Sequence, residues 1–357
     1  MLYNARVRLG RYVLAEASIL CGLLALGSLA TWAGAGLVRR SSPAGKRAET
    51  QAFLPRAEAT LPNPAIAEET AGTFLGMSDE MLLERVRGQP IVRMKLNRGG
   101  SSLSFRVDLA DGTRAAFKPA QTNLQTIPRK EVAAYRLNRL LGLNAVPPAA
   151  TRMVSREEMF GKLHPETQAA LPRIRAETLF NPAGLTAGVV MYWVPEIKDS
   201  GLDTPEGIQT SMQWLTQGQP IPSQKRPLAA QLSQVILFDF LTENPDRYSG
   251  GNLLTSGDGA RLLFMDNTMA FFLDPTGNEQ TRSRLLRVQR FSALMVQALD
   301  RITVPTLERL LSRGPRDDYE ILTAGEIRAV VARRDFAKRH IDSLIAAYGL
   351  RNVLAFP

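Results

Sequence analysis

The chain has 357 residues, 45% of them hydrophobic and 22% charged, with 44 Lys and Arg against 34 Asp and Glu for a formal net charge of +10. These values exclude a wholly disordered or collagen-like chain and leave room for one large or two ordinary domains with a substantial core. The single cysteine, Cys21, excludes an intramolecular disulfide and a multi-cysteine zinc site, and His164 and His340 alone cannot furnish a histidine-rich metal centre.

Much of the positive charge is local. Arg6, Arg8, Arg11, Arg39, Arg40, Lys46 and Arg47 stand against only Glu16 and Glu49 in the first fifty residues, and they flank the uncharged run from Ala17 to Val38. About 20 such residues span the hydrocarbon core of a bilayer as a helix, so residues 1–40 are expected to form a transmembrane anchor with basic flanks and to place the protein on a membrane as a single-pass chain. A cleaved signal peptide, with Ala33-Gly34-Ala35 at the cleavage site, and a buried soluble helix are the alternatives. The run exceeds the roughly 7–15 apolar residues of a signal peptide. Basic residues on both sides leave the orientation open. The rest of the chain lacks a Lys/Arg stripe with interleaved aromatics, so nucleic acid is not an expected partner.

Residues 41–80 read as a disordered linker, rich in Ala and Pro, with Pro43, Pro55, Pro62 and Pro64 and little periodicity. Extended patterns follow in 81–198. Ile91–Leu96, Leu103–Leu109 and Arg114–Pro119 alternate between turns at Asn97–Ser102 and Asp111-Gly112, which predicts a three-strand antiparallel meander. Val132, Tyr135, Leu137, Leu140 and Leu141 keep helical spacing up to Gly142, and Gly188–Val194 reads as a buried strand stopped by Pro195. In 199–357 the spacing predicts a helix over Leu228–Leu241, a short strand over Arg261–Met265, and helices over Arg284–Ala298, Val304–Leu311 and Gly325–Tyr348. Strands first and helices later predict an α+β fold with a small antiparallel β-rich first lobe and a mostly helical second lobe.

The chemistry concentrates in Asn244-Pro245-Asp246-Arg247, Asn252 and Asp266-Asn267. An apolar helix running into Asn-Pro-Asp-Arg puts a carboxylate and a guanidinium on a loop where side chains can converge on a ligand. Gly250-Gly251 lets the backbone turn and return Asn252 to the same space. Asp266 ends an apolar strand, which places its carboxylate at the strand mouth. Two carboxylates and a carboxamide suit Mg²⁺ or Mn²⁺ bound together with phosphate oxygens. Phosphoryl transfer asks for such a set plus a lysine on the donor phosphates, for which Lys118 is the candidate, with Glu131 positioned to pair with it. Taken singly these residues are ordinary: an Asp-Arg surface pair, an Asp-Asn turn, a strand lysine, a Gly99-Gly100 hairpin turn. Their order along the chain is what points to a kinase.

Phe117-Lys118-Pro119 ahead of Glu131-Val132-Ala133-Ala134-Tyr135, the run Asp239–Arg247, and Asp266-Asn267 together resemble the secretory-pathway atypical kinase family, which contains the Golgi casein kinase and Four-jointed. More distantly, HipA-like bacterial kinases and phosphatidylinositol kinases are similar. The resemblance covers about Arg93 to Tyr348, patchily. It implies a two-lobed atypical kinase fold, with the family's lysine at Lys118, its helix acid at Glu131, its catalytic Asp at Asp246 and its metal-binding Asp at Asp266. The sequence departs from the wider kinase pattern in having no Gly-x-Gly-x-x-Gly loop, no His before Asp246 and Asp266-Asn267-Thr268 in place of Asp-Phe-Gly. The disulfides of the animal relatives cannot form here.

The expected function is a membrane-anchored kinase moving the γ-phosphoryl group of ATP to a hydroxyl on a protein or sugar, with Mg²⁺ or Mn²⁺. Asp246 is the expected base. Asp266 and Asn252 are the expected metal ligands. Lys118, Glu131, Gly99, Gly100, Met191, Trp193 and Val194 are the expected nucleotide-site residues. The rival is a pseudokinase, a tethered nucleotide-binding or interaction module.

Overall fold

In the computed structural model, which describes residues Gly72–Pro357, the chain enters through a hairpin of β1 (Thr73–Phe74) and β2 (Met77–Ser78) and passes into the helix Asp79–Gly88. The expected anchor at Ala17–Val38 lies outside the described residues, among which no helix is long and apolar enough to cross a membrane. The expected linker ended at residue 80, but its described part, from Thr73, already forms the hairpin and the first turn of the helix. Local chemistry explains the start of the helix. Ser78 Oγ accepts the Met81 N–H, and Asp79 and Glu80 lie at the positive end of the helix dipole.

The meander forms as expected from its alternation. β3 (Ile91–Leu96), β4 (Phe105–Leu109) and β5 (Arg114–Pro119) pair antiparallel, with Phe105 opposite Phe117 and Val107 opposite Ala115. The sequence reading missed β6 (Ala149–Ser155), whose alanine-rich start carries little β signal. With β7 (Leu185–Tyr192) it completes a five-stranded sheet ordered β3-β4-β5-β7-β6. Successive residues of β5 point to opposite faces. Ala115 and Phe117 therefore sink into the core, while Ala116 and Lys118 face the cleft described below. Gly188 on β7 is a site of close approach, because a Cβ there would sit 2.3 Å from the Phe117 ring.

The helix Arg129–Leu140 packs against the core through Val132, Ala133, Ala134 and Leu137 and is tied to the helical lobe at two points. Arg129 bonds both carboxylate oxygens of Glu326 at 2.8 Å, and Arg136 holds Asp317. Beyond β7, β8 (Ile197–Asp199), β9 (Leu253–Ser256) and β10 (Leu262–Phe264) form a small antiparallel sheet ordered β10-β9-β8. The helix Arg226–Thr242 forms the centre of the helical lobe, burying Leu232, Val235, Ile236, Phe238, Phe240 and Leu241.

One expected helix is divided. Instead of a single span over Arg284–Ala298, the chain forms Glu279–Arg287 and Ala293–Ala298. Between them Phe291 leaves helical geometry to pair with the end of the chain, donating to the Val353 carbonyl at 2.7 Å and accepting from the Phe356 N–H at 3.2 Å. Val304–Leu311 has its expected limits, and the long helix runs from Ala324 to Tyr348 behind a Thr323–Glu326 capping box.

Candidate active site

Lys118, Glu131 and Asp266 meet although they come from a strand, a helix and a post-strand loop. Lys118 Nζ donates to Glu131 Oε1 at 2.8 Å and lies 2.9 Å from Asp266 Oδ1. Burial disfavours the charged lysine, but the two carboxylates outweigh it and raise its pKa. Burial alone would raise the Asp266 carboxyl as well. The ammonium of Lys118 and the hydrogen bonds from Lys118 and Thr268 outweigh that cost and hold Asp266 at about 2. At neutral pH Lys118 and Asp266 are therefore an ion pair, and Glu131 accepts from the same ammonium.

The triad opens on a cleft of about 220 Å³ lined also by Met191, Trp193, Val194 and Asn252. A larger hollow of about 880 Å³ shares Val194 and Phe264 with this cleft but contains none of Lys118, Glu131, Asn252 or Asp266. Asp246 does not line the cleft itself. It reaches the edge through Asn252, whose Nδ2 donates to the Asp246 carbonyl at 3.0 Å and to its Oδ2 at 2.9 Å. The Gly99-Gly100 pair stays away from the cleft, contrary to expectation. Asn97 and Ser104 bond to each other at the base of the loop, backbone N to O at 2.8 Å and Nδ2 to Oγ at 3.0 Å, so these two line the cleft while the glycines sit exposed at the tip.

The loop carrying Asp246 is positioned from beneath. Glu243 caps the helix Arg226–Thr242 in the left-handed region at φ 54°, a conformation unfavourable for a side chain other than glycine. Its carboxylate is held at 2.9 Å by Arg333, a fully buried residue of the long helix that also bonds the carbonyls of Leu241, Phe272 and Asp274. Asn244 then accepts the Asp246 N–H at 3.0 Å and donates to the Asp266 carbonyl at 3.4 Å, linking the two acidic loops.

Arg247, expected on the ligand side, is instead fully buried. Nε donates to Asp239 at 3.1 Å, Nη1 to the carbonyls of Asn252 and Met265, and Nη2 to Asn267 Oδ1 at 2.6 Å. Its planar fork suits such a frame, because several donors are fixed in one plane. Asn267 passes the connection on. Its backbone N–H and Nδ2 donate to Glu131 Oε2 at 3.0 and 3.2 Å. The sequence reading noted Asn267 only as the neighbour of Asp266, and it missed Asn97, Ser104, Asn244 as a linker and Arg333. Only the Asn-Pro-Asp-Arg spacing hinted at Asn244.

The donor set fits a hard divalent cation. Among the described residues no donor reaches Asp246 Oδ1, Asn252 Oδ1 or Asp266 Oδ2. Among them, too, no three His, Cys, Asp or Glu side chains gather closely enough to hold a metal by themselves. Asp266 and Asn252 line the cleft together, one carboxylate and one carboxamide with Asp246 at the edge, hard oxygen donors of the kind that bind a divalent cation jointly with phosphate oxygens.

No protein-family model matches the chain, and no curated protein matches it. Solved structures do. The Golgi casein kinase superposes with a TM-score of 0.59 at 17% identity, covering 77% of this chain and 78% of that one. The Golgi casein kinase with Mn/ADP bound gives 0.60 at 18% identity over the same shares. The hydra Fam20 structure with sugar gives 0.58 at 17% identity over 80% of this chain and 97% of that one. The chain thus has an atypical kinase fold, with a sheet lobe followed by a helical lobe. Among solved structures, the fold is shared with the Golgi casein kinase and with hydra Fam20.

Proposed function

We propose that the protein is a metal-dependent atypical kinase that transfers the γ-phosphoryl group of ATP to a hydroxyl on a protein or glycan. The observation that carries this reading is the contact of Lys118 with both Glu131 and Asp266 at the cleft, the charge arrangement that phosphoryl transfer requires. Lys118 contacts the donor phosphates and Glu131 fixes its position. Met191, Trp193 and Val194 take the adenine. Asp266 and Asn252 hold Mg²⁺ or Mn²⁺, which neutralises charge on the phosphates. Asp246 orients the acceptor hydroxyl and takes its proton, while the Asn252 amide holds the Asp246 carboxylate in place. The fold neighbours, one with Mn/ADP and one with sugar bound, support the nucleotide and the acceptor classes. The apolar run Ala17–Val38 tethers the catalytic part to a membrane.

The test uses the full chain in detergent. ATP with Mg²⁺ or Mn²⁺ should raise the unfolding temperature and be converted to ADP, and Asp266→Ala should lower turnover by about 10²–10³-fold, the usual loss when one group stabilising the developing charge is removed. Metal-dependent stabilisation without turnover would make the protein a pseudokinase. Normal turnover by the Asp266→Ala variant would remove the metal assignment.

A further inference from the structure

Five arginines line a third cavity, of about 540 Å³, on the side of the Arg129–Leu140 helix that carries Arg136 and Arg139. Arg87 comes from the helix Asp79–Gly88, Arg309 from the helix Val304–Leu311, and Arg316 from the following loop. Among the described residues the only acid lining the cavity is Asp317, and it is engaged by both terminal nitrogens of Arg136. Arg139 is likewise paired, with Asp79 at 2.9 Å. Arg87, Arg309 and Arg316 have no hydrogen bond or ion pair among the described residues.

Like charges that outnumber their counter-charges cost free energy, and burial increases that cost. Arg87 records it. Its Nε is buried with no partner, and burial, with Arg316 and Arg136 adding to it against Asp317 and Asp318, lowers its pKa. Leu83, Leu140 and Leu310 supply apolar wall beneath the charges.

We propose that this cavity is a binding site for a phosphate group, free or carried on a phosphorylated peptide. Arg87, Arg309 and Arg316 are its free donors, and a dianion is the charge that offsets three unpaired guanidiniums in planar, bidentate geometry. The site has a route to the cleft. Arg136 stands on the helix that carries Glu131, and its hold on Asp317 and the Leu310 carbonyl fixes that helix against the helical lobe. A phosphate bound beside Arg136 therefore acts on the element that positions Lys118. The proposal does not depend on the kinase reading, since it concerns binding alone.

Calorimetry and thermal unfolding of the full chain test it, with inorganic phosphate and a phosphoserine peptide as probes and chloride at matched ionic strength as the control. The native chain should bind at least one probe saturably and unfold at a higher temperature with it. Binding only the free anion, or the peptide more tightly, distinguishes the two sources, and either supports the site. The double variant Arg87→Gln/Arg316→Gln should bind at least about tenfold more weakly, the loss expected from removing one charge-assisted hydrogen bond. Without phosphate it should be no less stable than the native chain, because two repelling charges are gone. Should the double variant fail to fold, Arg309→Gln, on an exposed side chain, must show the same weakened binding. Equal phosphate effects on native and variant chains, or none on either, overturn the proposal.

Discussion

Glu131 and Asn267 join the two lobes through a single carboxylate oxygen: Glu131 Oε2 accepts both the backbone N–H and the side-chain amide of Asn267, at 3.0 and 3.2 Å. The other oxygen, Oε1, accepts from Lys118. One buried acid thus connects the strand lysine to the loop after β10, and through Asn267 Oδ1 to the fully buried Arg247. The position of the candidate lysine and the path of the Asp246 loop are parts of one hydrogen-bond network.

Asn267→Leu should break that network at its centre. The substitution takes the Asn267 acceptor from Arg247 Nη2, which keeps only the Asp239 carboxylate at 3.1 Å, and removes one donor from Glu131. Removing a hydrogen-bond partner from buried charged groups costs about 1–3 kcal/mol, so the urea midpoint should fall with little change in slope. A loss below about 1 kcal/mol would mean that the frame does not depend on the Asn267 hydrogen bonds.

Asp246→Asn separates chemistry from binding. Asparagine keeps the size of the side chain, and the triad at Lys118 is untouched. Nucleotide-dependent stabilisation should persist, while ADP release falls about 10²–10⁴-fold, the usual contribution of a positioned base. If kcat stays within a few-fold of the native value, Asp246 is not the base.

Lys130 yields a pH signature. It is 2% exposed, with Nζ 4.3 Å from the centre of the Phe272 ring, and burial, only partly opposed by Glu326, pushes its ammonium down to about 8. Between that value and the 10.5 of the unfolded chain, the unfolded state holds the extra proton. Stability therefore rises with pH across this window, by about 3 kcal/mol for the full shift, and the whole burial cost applies below pH 8. Lys130→Met should be more stable than the native chain at pH 7 and should lack the rise. Parallel curves for the two proteins from pH 8 to 10.5 would rule this out.

Gly188→Ala tests the packing under the site. The new methyl would overlap the Phe117 ring at 2.3–2.5 Å and approach the Lys118 carbonyl at 3.0 Å. Overpacking of this kind costs about 1–3 kcal/mol. Because the displaced ring adjoins Lys118, nucleotide binding should weaken along with stability. Unchanged thermal unfolding would mean that the sheet relaxes around the methyl at no cost.

The sequence by itself determined the strand–strand–strand–helix order and the residue types of the site. Alternation places Ala115 and Phe117 on one face and Lys118 on the other whatever surrounds them, and the Asn-Pro-Asp-Arg spacing sets Asp246 just past a helix end. Such features depend on neighbours a few residues away, so they are written locally. Only the tertiary structure decided that Arg247 turns inward, that Asn97 and Ser104 rather than Gly99 and Gly100 reach the cleft, and that the helix expected over Arg284–Ala298 divides where Phe291 pairs with Val353 and Phe356. It also gathered Arg87, Arg136, Arg309 and Arg316 from distant stretches into one cavity. Each of these outcomes depends on partners tens to hundreds of residues away, and burial and pairing energies between such partners leave no periodic mark along a single strand or helix.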